Sequence, residues 1–341
     1  MRRWARRILI VGLIAGGAAT AVSQWGAVSS ALTQLGNLNW RDVRWAIYAE
    51  LLALIAFAQL MRVLLRAGGA NLRLRSILSL TLASNALALT LPGGPAWAAT
   101  FSFKQLRRRG VARSLSICAL LVTWTMSALA LVVIALVGID LAGDSGPAAS
   151  LHAIAVPFTL ASVPLAAASI LLLRQRRTTL GRAAARLTAS ERLGRLAAPI
   201  QDLRTELRAM HLHPTQWLSS ATAAALNWIL DCGCLTFSIL AVGGHVPWQG
   251  LLAVYALTQF AAALPLTPGG IGITEGTLSV LLIACHIAPG TAIAAVTIYR
   301  LISFWLLVPI GWATAAAMSG INSPWRGGRA LGKRLTGASP G

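Results

Sequence analysis

The chain has 341 residues, of which 56% are apolar and 11% are charged, whereas ordinary soluble domains carry roughly 25% charged residues. A water-soluble fold of this length is therefore excluded, because too few charges remain to cover its surface. The formal net charge of +20 does not indicate a nucleic-acid partner, because the basic residues lie in short segments between apolar runs, as in membrane proteins whose basic loops set the topology.

The apolar runs predict six full membrane spans, since a helix needs about 20 residues to cross a hydrocarbon core of about 30 Å. The first run follows four arginines and has the layout of a signal peptide with a cleavage site at 21–23. We favour an uncleaved signal anchor, because the rest of the chain is itself membrane-embedded. In chain order the predicted spans are residues 8–24, 43–65, 114–137, 151–173, 217–242 and 291–318.

Two further apolar segments are interrupted. Residues 77–103 contain Pro92-Gly93-Gly94-Pro95, and residues 249–286 contain Pro265-Leu266-Thr267-Pro268-Gly269-Gly270. If Met1 is cytoplasmic and both segments are re-entrant, 26 of the 29 Lys and Arg residues are cytoplasmic. The positive-inside rule therefore favours two re-entrant helical hairpins that enter from opposite faces, with both termini cytoplasmic. The alternative is that each break is a loop between two full spans.

The remaining segments are polar and basic. Residues 174–213 carry nine arginines and three acids, with Leu and Ala at helical spacing, which predicts a cytoplasmic amphipathic segment on the inner leaflet. Residues 326–341 form a basic tail that we expect to be disordered. The predicted organisation is an all-α polytopic membrane protein with one integral membrane domain, 1–325, followed by this cytoplasmic tail.

The two breaks supply the first candidate site residues. Proline and glycine can end one half-helix and start another, and the N-terminus of the second half-helix suits a phosphate or carboxylate. Paired broken helices in the two halves of a transporter usually mark its substrate site. The candidates are Pro92, Gly93 and Gly94 in the first break, and Thr267, Pro268, Gly269, Gly270 and Gly272 in the second.

Ionisable residues inside apolar runs supply the second set, because burying a charge in a bilayer is costly. Glu275 lies one helical turn after the second break, and Arg300 in the last span is its natural partner. The pair could be purely structural, or it could bind a lipid headgroup while exchanging partners. Asp231 shares a helix face with Asn227, and either interhelical hydrogen bonding or a proton relay would explain it.

Two further polar residues are candidates of lower specificity. Asn85, shortly before the first break, is expected to hydrogen-bond between helices. Glu50 is another acid within a span, and its position near the outer end of that span predicts an interfacial location.

The sequence lacks the signatures of enzymes. It contains no Walker loop, HExxH, GxSxG or Cys/His nucleophile arrangement, so we expect neither catalysis nor a cofactor or metal ion. The four cysteines lie within apolar stretches and are expected to pack as small hydrophobic residues.

The motifs resemble those of one family. Asn85-Ala86-Leu87 leading into Leu91-Pro92-Gly93-Gly94, Asn227-Trp228-Ile229-Leu230-Asp231, the run from Leu264 to Gly276 and Ile298-Tyr299-Arg300-Leu301 are similar to the lysylphosphatidylglycerol synthase transmembrane-region family. The resemblance covers about residues 8–318 and implies the movement of lipids between leaflets. Pro95-Ala96-Trp97 departs from the polar or acidic residue that many members carry after the first Gly-Gly.

The resemblance leads to a functional expectation. We expect a flippase of the bacterial inner membrane that moves an anionic or aminoacylated phospholipid and that lacks the family's aminoacyl-transferase domain. The alternative is a non-transporting scaffold that recruits a partner through residues 174–213. Membrane phospholipid is the expected partner, and both a homo-oligomer and a separate lipid-modifying enzyme remain open.

Overall fold

The computed structural model describes residues 36, 38–91, 93–142, 213–263 and 267–319. The predicted spans 8–24 and 151–173, residues 174–212 and the basic tail lie outside the described residues, as do Pro92 and residues 264–266. The helices are α1 (Trp40–Ala67), α2 (Leu74–Thr90), α3 (Gly94–Arg108), α4 (Arg113–Ala142), α5 (Pro214–Ala241), α6 (Trp248–Ala263), α7 (Ile273–Ala284), α8 (Pro289–Arg300) and α9 (Leu307–Ser319).

Four long stretches of the described chain are apolar enough to cross a membrane. These are α1, α4, α5 and the stretch Pro289–Met318, which contains α8 and most of α9. They confirm the spans predicted at 43–65, 114–137, 217–242 and 291–318. The helix α4 continues past the predicted end of its span to Ala142 and includes Asp140.

The two interrupted segments each form a pair of short helices. The helices α2, α3, α6 and α7 have 17, 15, 16 and 12 residues, and all four are shorter than the roughly 20 residues of a full span. Each break therefore separates two helices that are shorter than a full span, in agreement with the hairpin prediction. The face of the membrane from which each hairpin enters remains a prediction.

The first hairpin consists of α2 and α3, which pack against each other. Its reversal is at Gly93, which has a φ of 66°. A Cβ atom on Gly94 would overlap the carbonyl oxygen of Ala88, so only glycine permits this close approach. At the open end, the Arg109 guanidinium donates a hydrogen bond to the Ser76 carbonyl over 3.1 Å. This hydrogen bond between the end of α3 and the start of α2 confirms that the two helices are antiparallel. Burial lowers the pKa of Arg109 from its ordinary value.

The second hairpin consists of α6 and α7, which also contact each other. A Cβ atom on Gly250, at the start of α6, would lie 2.9 Å from Sγ of Cys285 at the end of α7. The beginning of one helix therefore meets the end of the other, and this pair is antiparallel too. The helix α7 also packs against α8, which brings the second break close to the last span.

The last span contains an irregularity that the sequence analysis did not predict. Residues Leu301–Leu306 form a π-helical segment directly after Arg300. Pro309 in α9 has no N–H group, and a proline ring clashes with the carbonyl four residues earlier, here that of Trp305. The regular α-helical hydrogen bonding is therefore interrupted at this point. Such π-helical turns often occur at functional sites.

The chain divides into two compact units. The first comprises Met1–Ala53, Ala128–Ala168 and Ala225–Ser303, and the second comprises Leu54–Ser127, Ser169–Ala224 and Phe304–Gly341. Within the described residues, the first unit holds the second hairpin and a core of apolar side chains that includes Leu235, Val254 and Leu282. The second unit holds the first hairpin, whose helix α2 packs against α9.

Candidate functional site

The second break is built from glycines in left-handed backbone conformations. Pro268–Gly270 forms a short 3₁₀ turn, in which Gly269 has a φ of 62° and Gly270 a φ of 66°. Gly272, with a φ of 84°, immediately precedes α7. Because residues with side chains rarely adopt such angles, the glycines explain how the chain ends one half-helix and starts the next within a few residues.

An ion pair connects this break to the last span. Nε of Arg300 donates to Oε1 of Glu275 over 2.7 Å, and Nη2 of Arg300 donates to the Gly269 carbonyl over 3.3 Å. The other carboxylate oxygen of Glu275 accepts the Gly272 N–H over 2.6 Å. Glu275 therefore caps the N-terminus of α7, where a negative charge is favourable, while it neutralises Arg300. The predicted pairing of these two residues is confirmed.

The two partners differ in their exposure. The Arg300 side chain is 9% exposed, whereas that of Glu275 is 34% exposed. The carboxylate is thus the accessible partner, and the guanidinium lies behind it.

A second polar cluster surrounds Asp231 of α5. The Tyr255 hydroxyl donates to Oδ2 of Asp231 over 2.6 Å, and the Tyr299 hydroxyl donates to Oδ1 over 3.0 Å. Nε2 of Gln259 lies 3.2 Å from Oδ2 of Asp231 and 3.3 Å from the Tyr299 hydroxyl. Three donors from α6 and α8 thus converge on one carboxylate, which satisfies the interhelical hydrogen bonding predicted for Asp231.

Glu50 joins this cluster from α1. Its side chain contacts the Asp231 carboxyl group, and the residue is only 6% exposed. Its Oε2 atom is buried without a hydrogen-bond partner in the described part of the chain. Glu50 is therefore buried inside the first unit, and its predicted depth near the membrane interface stays a prediction.

The other predicted site residues lie in different surroundings. Asn227 is half-buried one turn before Asp231. Oγ1 of Thr267, beside the 3₁₀ turn, is buried without a hydrogen-bond partner among the described residues. Asn85, Gly93 and Gly94 belong to the second compact unit.

The sequence analysis missed three members of the Asp231 cluster: Tyr255, Gln259 and Tyr299. A signal was present, because Tyr255 and Gln259 are four residues apart on an apolar helix and therefore share a face. Tyr299 directly precedes Arg300. No group of three or more His, Cys, Asp or Glu residues within the described ranges is arranged to hold a metal ion.

The helices and the buried polar clusters define a polytopic all-α membrane protein with interrupted helices. The chain belongs to the lysylphosphatidylglycerol synthase transmembrane-region family, whose model matches residues 8–311. Both breaks and both polar clusters fall within the matched region. The family resemblance predicted from the motifs is therefore confirmed.

Curated relatives match over shorter regions. A UPF0104 membrane protein of Methanothermobacter thermautotrophicus is 25% identical over 119 residues, which is 35% of each chain. A UPF0104 membrane protein of Pyrococcus horikoshii is 33% identical over 84 residues, or 25% of each chain. A protein of Synechocystis sp. is 30% identical over 97 residues, or 28% of this chain and 29% of the relative. The chain thus spans about a third or less of the relatives that it matches.

Proposed function

We propose that this protein moves an anionic or aminoacylated phospholipid between the two leaflets of the bacterial inner membrane, and that the headgroup binds at the second break. The observation that carries the proposal is the ion pair between Glu275 and Arg300, which joins a helix break to an apolar span. Ionisable residues within membrane spans commonly mark substrate pathways, and interrupted helices commonly form the substrate sites of transporters.

The chemistry of the pair suits a phospholipid headgroup. A guanidinium group binds phosphate oxygens through two parallel hydrogen bonds, and the start of α7 adds N–H groups and a partial positive charge. The Glu275 carboxylate can bind the ammonium group of an aminoacyl headgroup. A zwitterionic or anionic lipid would therefore replace the contact between Glu275 and Arg300 with contacts of its own.

Exposed basic residues of the second unit support the proposal. In the predicted orientation they face the cytoplasm, where each Lys or Arg near an anionic surface contributes roughly 1 kcal/mol of attraction. Such a surface would concentrate anionic lipid beside the protein. The exposed residues are Arg66, Arg73, Arg75, Lys104, Arg107, Arg108 and Arg113.

Transport can be tested with purified protein in vesicles. Vesicles that contain the protein and a trace of headgroup-labelled phosphatidylglycerol are treated with a reductant that quenches only the outer leaflet. We expect the label to move from the inner to the outer leaflet faster than in empty vesicles. More than half of the label should therefore be quenched over time. A panel with lysyl-phosphatidylglycerol and phosphatidylethanolamine defines the headgroup.

The alternative function is an outcome of the same experiment. If the native protein moved no lipid of the panel faster than empty vesicles do, the transport proposal would be abandoned. A scaffold that acts through residues 174–213 would then be the better explanation.

A further inference from the structure

Glu50, which is buried, and Asp231, which is half-buried, form a pair of carboxyl groups in contact. Glu50 is 6% exposed, its carboxyl group contacts that of Asp231, and its Oε2 atom receives no hydrogen bond from the described residues. Asp231, in contrast, already accepts bonds from Tyr255, Tyr299 and Gln259. The donors of the cluster are thus directed at Asp231, and none of the described donors reaches Oε2 of Glu50.

The charges around the pair do not balance two carboxylates. Tyr255 and Tyr299 face it from α6 and α8, and Cys232 and Cys234 lie beside Asp231 on α5. Among the described residues, Arg300 is the cation whose charge acts on Asp231, and it is already bonded to Glu275. Within this part of the chain, one guanidinium would therefore have to neutralise three carboxylates.

Two carboxylates in contact, one of them buried, repel each other strongly, and such pairs usually retain one proton. A protonated Glu50 donates to Asp231, which as the carboxylate remains bonded to its tyrosines. The hydrogen-bond pattern of the cluster thus fits one proton on Glu50 and a negative charge on Asp231.

We infer that Glu50 and Asp231 form a proton-binding site, and that the binding and release of this proton drive lipid movement. The inference rests on the proposed transport function and adds its source of energy. A proton gradient is a suitable source, because it supplies protons at one membrane face and removes them at the other.

Release of the proton would act on the headgroup site through Arg300. The O–H bond of Glu50 breaks, the proton passes to water at one membrane face, and Glu50 remains as a carboxylate. The added negative charge attracts Arg300 away from Glu275 and the Gly269 carbonyl. Glu275 then becomes available to a headgroup ammonium, and rebinding of a proton from the other face restores the original pair.

The test measures the final distribution of acyl-labelled lysyl-phosphatidylglycerol, whose ammonium group can bind the released Glu275, between the leaflets under an imposed pH difference. Valinomycin with equal potassium on both sides holds the membrane potential at zero, so that the charge of the lipid does not bias the result. A pH difference of about one unit is worth about tenfold in an equilibrium constant for each coupled proton. The native protein should therefore shift the leaflet ratio by up to about tenfold, and a protonophore should abolish the shift.

Two variants complete the design. Glu50→Gln keeps the shape of the side chain but cannot release a proton, so the leaflet ratio should lose its response to the pH difference. Asp42→Asn removes an acid from the same helix, where it bonds to Asn39 at the exposed end, and should respond as the native protein does. Size-exclusion profiles and helical circular dichroism identify any variant that does not fold.

The outcomes separate the two proposals. Lipid movement by the native protein that ignores the pH difference would overturn the inference and leave the transport function standing. A response to a sodium difference at equal pH would also overturn it, because the pair would then bind a metal cation. If the native protein moved no lipid, the transport proposal and this inference would both fall.

Discussion

Glu275 bonds to two partners at once: one carboxylate oxygen accepts from Arg300 and the other from the Gly272 N–H. One side chain thus joins the start of α7 to the end of α8. Arg300 in turn bonds to the Gly269 carbonyl on the other side of the break. The irregular backbone at the second break is therefore held by charged side chains, as is expected where non-helical backbone lies at membrane depth.

The first prediction concerns the shape of the Arg300 side chain. Arg300→Lys keeps the charge, but one ammonium group cannot reproduce the separate bonds to Glu275 and the Gly269 carbonyl. We expect the free energy of unfolding to fall by about 1–3 kcal/mol, measured by denaturant titration of helical circular dichroism in mixed micelles. Arg44→Lys, at an exposed position on α1, should change it by less than about 0.5 kcal/mol. Equal values for the two variants would contradict the prediction.

The second prediction concerns the hydroxyl groups on Asp231. Tyr255 is 1% exposed and its hydroxyl donates to Asp231 over 2.6 Å. Tyr255→Phe removes the donor and leaves a buried carboxylate with one bond fewer, so stability should fall by about 1–3 kcal/mol.

The matched control for this prediction is Tyr48→Phe. Tyr48 is 55% exposed, so the loss of its hydroxyl should be nearly neutral. A Tyr255→Phe variant as stable as Tyr48→Phe in the same denaturant titration would show that Asp231 does not depend on this bond.

The third prediction concerns the turn of the first hairpin. A methyl group at Gly94 would overlap the Ala88 carbonyl, and backbone can move away only by separating α2 from α3. Gly94→Ala should therefore lower the free energy of unfolding by about 1–3 kcal/mol. Gly233→Ala in α5, where the nearest atom would be 3.7 Å away, should be neutral or stabilising by up to about 1 kcal/mol. Similar results for both variants would argue against the tight turn.

The fourth prediction concerns the orientation of the chain. Asn71, in the loop between α1 and α2, is predicted to be cytoplasmic, and His245, between α5 and α6, is predicted to be outside; both are exposed. In a variant without native cysteines, Asn71→Cys should react with an impermeant maleimide only after the cells are opened. His245→Cys should react in intact cells. Labelling of both from one side would contradict the opposed hairpins.

Much of the fold could be predicted because the length of an apolar run indicates whether it spans the membrane, and the basic loops indicate its orientation. The four described spans were predicted to within a few residues. The Pro-Gly motifs correctly predicted that each of two segments is divided into two helices shorter than a full span. The π-helical segment after Arg300 was missed. Its cause, Pro309, acts on a carbonyl several residues earlier, and apolar composition alone does not reveal the change.

The site was predictable where charge is rare. Glu275 and Arg300 are isolated charges in apolar runs, so their pairing could be inferred from the free-energy cost of placing an unpaired charge in the membrane. Glu50 could not be placed, because its burial depends on which face of α1 packs against α5. Tyr255 and Tyr299 were missed because a tyrosine in an apolar helix is equally suited to packing or to hydrogen bonding, and only the fold brings their hydroxyl groups to Asp231.

The leaflet assay with paired variants of the ion pair tests the central claim most directly. Glu275→Gln and Arg300→Ala are compared with the native protein and with Asp42→Asn, each at the same protein-to-lipid ratio and each confirmed to be folded. The account predicts that the native protein and Asp42→Asn move labelled phosphatidylglycerol at similar rates, whereas both ion-pair variants fall to the rate of empty vesicles. Native rates in the two folded ion-pair variants would contradict the claim that the headgroup crosses at the second break.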